Sequence, residues 1–88
     1  MKQAIILTIA GTDFTFNMTV QDHSDFVDLV ARGGSMTAAS HNMVMRTIDD
    51  KQKPDLKKVL ESSPGSELQI ASMLKAEFSP VLEIAVKK

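Results

Sequence analysis

Apolar and polar residues alternate at the start of the chain, and the spacing turns helical after Val20. In residues 4–10, Ile5, Leu7 and Ile9 share one face of a predicted strand, while Ala4, Ile6 and Thr8 make a milder second face. In residues 14–20, Phe14, Phe16, Met18 and Val20 alternate with Thr15, Asn17 and Thr19, so that one face is buried and one wet. Gly11-Thr12-Asp13 joins the two strands, and Gly11 supplies the backbone freedom that a tight hairpin loop needs. Near the other end, Leu82, Ile84 and Val86 alternate with Glu83, Ala85 and Lys87, which predicts a short C-terminal strand.

Helical periodicity fills the middle. Thr19-Val20-Gln21-Asp22 fits a capping box, with Thr19 as N-cap and the Asp22 carboxylate reaching back to the helix start. The helix that follows buries Phe26, Leu29 and Val30, with Val27 at the edge, and stops at Gly33-Gly34. Thr37 is the expected N-cap of a second helix over 38–49, whose buried face is His41, Val44, Met45 and Ile48. Pro54 suits the first turn of a third helix carrying Leu56, Val59 and Leu60. A fourth helix carries Ile70, Ala71, Leu74 and Phe78 and ends at Pro80. A lone hairpin is marginal in water, so the C-terminal strand is expected to join it. The predicted fold is α+β over residues 1–88 as one domain: the N-terminal β-hairpin plus the C-terminal strand form a small sheet, with about four short helices packed on one face, in the order ββααααβ.

Composition narrows the function classes. The chain has 88 residues and is 43% hydrophobic, enough for a thin core but not for two. There is no cysteine, so neither a disulfide framework nor a thiolate metal site is available, which is compatible with a reducing cytosol. Ten Lys plus Arg against eleven Asp plus Glu create no net field towards nucleic acid or an anionic membrane. The apolar run Ala4-Ile5-Ile6-Leu7 is far short of the ~20 residues of a bilayer span, and the N-terminus lacks the layout of a secretory leader. The expectation is a soluble cytoplasmic domain.

Catalytic chemistry has little to stand on. His23 and His41 are the only imidazoles and have no spacing that a metal site would use. Asp22, Asp25 and Asp28 lack the backbone oxygens and turn glycine of a calcium loop and read as a solvated acidic helix face. Ser40 and His41 are adjacent on a helix and point ~100° apart, which argues against a nucleophile–base pair. Gly33-Gly34 follows a helix instead of preceding one, so it is no phosphate loop. Lys51, Lys53, Lys57 and Lys58 lack interleaved aromatics and are offset by Asp49, Asp50 and Asp55. The expectation is no enzyme, no metal and no cofactor.

One polar cluster has a plausible purpose: His41, Asn42, Arg46 and Thr47, with Asn42 and Arg46 spaced i, i+4 on one helix face. It would offer directional hydrogen bonds to a partner. The plainer reading is preferred, because buried polar groups normally find internal partners: His41 half-buried and tethering a loop, Arg46 paired with Asp49 or Asp50 on its own helix. Six methionines suggest an adaptable apolar surface, and Met43, off the predicted buried stripe, is expected to be exposed. The candidate partner-binding residues are therefore His41, Asn42, Met43, Arg46 and Met73.

Several segments together carry a family likeness. They are Leu7-Thr8-Ile9-Ala10-Gly11, Phe14-Thr15-Phe16, the central Ser40-His41-Asn42-Met43-Val44-Met45-Arg46-Thr47, and the ending Pro80-Val81-Leu82-Glu83-Ile84-Ala85-Val86-Lys87. In this order and spacing the chain resembles the small tail assembly chaperones of bacteriophages and prophages, departing from them around Gly33-Gly34. The resemblance implies a non-enzymatic protein of the bacterial host cytoplasm that keeps the long tape measure protein soluble during tail assembly. A helix-in-groove mode would place the client between the second and fourth helices, near Met43 and Met73. The alternative is a structural tail subunit, or another protein–protein interaction module, that self-associates through a sheet edge; Lys87 and Lys88 would blunt such an edge.

Overall fold

A computed structural model of the chain describes residues 2–79, 82 and 84–87. Strands β1 (Lys2–Ile9) and β2 (Thr12–Thr19) form an antiparallel hairpin in which Ile5 lies opposite Phe16 and Leu7 opposite Phe14. The loop is two residues, Ala10 and Gly11, with φ of 51° and 82°, and not the expected Gly11-Thr12-Asp13. Two consecutive left-handed residues match the strand twist that a tight hairpin requires. Phe14, Phe16 and Met18 bury one face of β2 completely.

The helices follow as α1 (Val20–Ala31), α2 (Met36–Thr47), a short 3-10 turn (Asp50–Gln52), α3 (Lys53–Ser62) and α4 (Ser66–Phe78). The capping box at α1 forms as expected: Thr19 Oγ1 accepts from the Asp22 N–H at 3.1 Å, and Asp22 Oδ2 accepts from the Thr19 N–H at 3.0 Å. At the other end Gly33 N–H donates to Val30 O and Gly34 N–H to Leu29 O, a two-bond reverse turn. A Cβ on Gly34 would stand 2.6 Å from Leu29 O, so this position admits only glycine without rearrangement. Pro54 sits in the first turn of α3, and α4 buries Ile70, Ala71 and Leu74 with Phe78 half-buried.

α2 differs from its prediction in phase. Its N-cap is Ser35, whose hydroxyl accepts from the Ala38 N–H at 3.2 Å, two residues before Thr37. The buried stripe is Ala39, Ser40, Met43, Val44 and Thr47, with His41 exposed and Met45 half-buried. The small Ala39 and Ser40 face α1 and α4, where a large side chain would hold the helices apart. Thr47 meets its burial by donating to Met43 O at 2.8 Å within its own helix. Met43 and Val44 join Ile5, Phe14, Phe16, Met18, Ile48, Leu56, Ile70, Ala71 and Leu74 in the core.

The expected C-terminal strand is corrected by this architecture. Among the described residues the sheet has two strands, and Leu82, Ile84 and Val86 are 70, 84 and 85% exposed. Pro80, Val81 and Glu83, part of that predicted end, lie outside the described residues. Alternation states which side chains a strand would bury, but not which edge would receive it. The outer edge of β2 is taken by the chain after α2: Ile48 bridges Phe16, and the Asp49 N–H donates to Thr15 O at 2.9 Å. Gln52 continues the pairing with its side chain, its Oε1 accepting from the Thr15 N–H and its Nε2 donating to Asp13 O, both at 2.8 Å.

Candidate functional site

The polar cluster resolves into a joint between α1 and α2. Capping uses Oδ2 of Asp22, which leaves Oδ1 free to accept from Arg46 Nε at 3.0 Å. One helical turn along, Asp25 Oδ2 takes Arg46 Nη1 at 2.7 Å. Arg46 thus spans two carboxylates on α1, and not Asp49 or Asp50 on its own helix as expected. The hydrogen bond to Asp25 raises the pKa of the Arg46 guanidinium, which in turn holds the Asp25 carboxyl below the ordinary range, helped by Gln21. Asp22 is buried, so the acidic stripe of α1 is not the uniformly solvated face that the sequence suggested; only Asp28 remains fully exposed and uncommitted to Arg46. The arrangement fastens α1 to α2 through charges paired within the chain.

The five candidate binding residues do not converge. Met43 is 3% exposed and belongs to the core, which corrects its expected exposure; α2 packs through Ala39, Ser40, Val44 and Thr47, and this inward stripe runs through Met43. Asn42 is exposed beside the Arg46 crevice, and His41 faces a shallow hollow bounded by Lys57, Leu60 and Glu67. Met73 is 54% exposed but stands next to β1, lining a cavity with Ile6, Ile9 and Ile70, away from α2. Among the described residues no three His, Asp or Glu gather to hold a metal ion, and no helix is long and apolar enough to cross a membrane.

The feature that sequence reasoning missed is an apolar groove of about 430 Å³ where α1, α2 and α4 meet. Phe26, Val27, Val30 and Ala31 form one wall, Met36 and Ser40 another, and Leu68, Ala71 and Ser72 the third, with Lys75 at the rim. Val27 and Met36 are exposed large hydrophobics on this groove. The signal was present in the sequence: Phe26, Val27, Leu29 and Val30 make α1 apolar over more of its circumference than one buried stripe uses. At the far end of α1 the His23 ring lies 5.9 Å from that of Phe78, tying α1 to the end of α4.

The family model for phage tail assembly chaperones matches residues 5–88. Among solved structures, an uncharacterised protein from Bacillus stearothermophilus is similar in fold, with a TM-score of 0.73 at 24% identity, covering 97% of this chain and 90% of its own. No curated protein matches the chain.

Proposed function

The chain belongs to the phage tail assembly chaperone family, and from that premise we propose that it shields an apolar helix of the phage tail tape measure protein until the tail tube encloses it. The role is non-enzymatic and is carried out in the cytoplasm of the bacterial host. The observation that carries this reading is the groove between α1, α2 and α4, where Val27 and Met36 expose apolar surface beside half-buried Phe26 and Val30. A groove of three helices accepts a fourth by laying apolar side chains at i, i+3, i+4 and i+7 between its walls. Met36 suits such a wall because its unbranched thioether adapts to differing side chains. The groove lies away from the site expected around Met43, whose side chain is already used in the core.

Co-expression with the tape measure protein of the same gene cluster tests the proposal. The expected result is a soluble complex that co-elutes on a sizing column, with the client insoluble alone. Val27→Glu with Met36→Glu should abolish co-elution while the circular dichroism melt stays near wild type, because both side chains are exposed. A double variant that still co-elutes, or a client that stays insoluble beside the wild-type chain, overturns it.

A further inference from the structure

The two edges of the hairpin are occupied differently. Ile9 and Thr12 flank a two-residue loop and form a mutually hydrogen-bonded pair, so hydrogen-bonding directions alternate from there along β1. The N–H and C=O groups of Ala4, Ile6 and Thr8 therefore point away from β2. The same alternation turns Asp13 and Thr15 outward on β2, where they meet Asp49 and Gln52. Among the described residues nothing pairs with the outward groups of β1. This edge also lacks the usual protections: Ala4 to Ile9 contains no proline and no charge, and Ile6 is 64% exposed. Beside it lies a cavity of about 420 Å³ bounded by Ile6, Leu7, Ile9, Ile70 and the exposed Met73.

We propose that β1 pairs antiparallel with β1 of a second copy of this chain, Ile6 opposite Ile6, extending each hairpin into a four-stranded sheet. The edge is self-complementary in that register. On the face away from the helices Ala4 meets Thr8 on either side of the Ile6 pair; on the helical face Ile5 meets Leu7 and Gln3 meets Ile9. Lys2, the strand's single charge, falls opposite Ala10, so the two lysines stand at opposite ends of the pairing and do not repel. Met73 of each copy closes over the edge from the helical side. A pairing of one strand and one side chain buries less than the ~1,200 Å² of the smallest stable interfaces, so the dimer is reversible and depends on concentration. The helix groove stays open in this arrangement, and the inference stands independently of its client.

Sedimentation equilibrium of the full chain from about 10 μM to about 1 mM tests the pairing, since mass action populates a weak dimer across that span. The expected result is a monomer–dimer equilibrium. A4K with T8K places two introduced lysines opposite each other on each side of the axis and should weaken the dimer at least about tenfold. A4E with T8K places unlike charges there and should restore it. I6P removes only an outward N–H and should leave a monomer with a near-unchanged melting curve; should I6P fail to fold, the charge pair decides alone. A wild-type chain that is monomeric throughout overturns the proposal, and so does equal weakening by the two charge variants.

Discussion

The β2 side and the β1 side of the hairpin carry strands of equal length, yet they are finished in opposite ways. On the β2 side the chain leaving α2 bridges Phe16 through Ile48, and the amide of Gln52 stands in for a peptide group by bonding both Thr15 N–H and Asp13 O. On the β1 side the outward backbone groups face open space among the described residues, next to Ile6 and Met73. The same contrast recurs in the helices: the α1–α2 joint is locked by Arg46 and two carboxylates, whereas the groove that α1 and α2 share with α4 is apolar and open. Closed regions are those where directional polar groups find partners within the chain. Open ones are left with area-dependent apolar attraction that any complementary partner can supply.

The largest expected effect separates the two faces of this contrast. Phe16→Ala removes a fully buried ring from the closed side and should cost about 3–5 kcal/mol in chemical denaturation, against less than about 0.5 kcal/mol for Ile6→Ala on the open edge. Similar losses at the two positions would break the comparison. Next comes Asp22→Ala, which deletes the capping box and leaves Arg46 without its buried acceptor; a loss of about 2 kcal/mol is expected in the same assay. Gln52→Ala should cost about 1–2 kcal/mol, since it leaves Thr15 N–H and Asp13 O unpaired, and should speed hydrogen exchange at Thr15 more than elsewhere in β2. A variant that leaves Thr15 protected would show that the edge is closed by something other than Gln52.

The smallest effect is a pH dependence. The folded-state pKa of Asp25 is lowered, so its contribution is fully present above the ordinary aspartate range near ~4 and is lost as pH falls through the depressed value. Denaturant titrations between about pH 5 and pH 2 should show a small fall in stability that Asp25→Asn reduces. An identical fall in that variant would place the acid sensitivity elsewhere.

Much of this arrangement was legible in residues close together along the chain. The alternation around Phe14-Thr15-Phe16, the box of Thr19 with Asp22, the stop at Gly33-Gly34 and Pro54 in the first turn of α3 all act over a few residues, and each appears where the sequence predicts it. The candidate site was poorly legible. Arg46 chose Asp22 and Asp25, more than twenty positions away in sequence, over the nearer Asp49 and Asp50, because the approach of α1 to α2 brings those two carboxylates into its reach. Met43 looked exposed by a stripe drawn through His41, Val44, Met45 and Ile48, but α2 packs through the small Ala39 and Ser40, and that rotation turns Met43 inward.

The sequence by itself determined the local conformations, the capping chemistry and the membership of most of the core, since these depend on side-chain size and on hydrogen bonds that close within one or two turns. The tertiary structure alone decided the rotation of α2, the pairing of Arg46, the closing of the β2 edge by Gln52 and the opening of the groove beside Val27 and Met36. Each of those results from two segments meeting in space, where the winning contact depends on how closely backbones approach and which polar groups must be satisfied once water is gone.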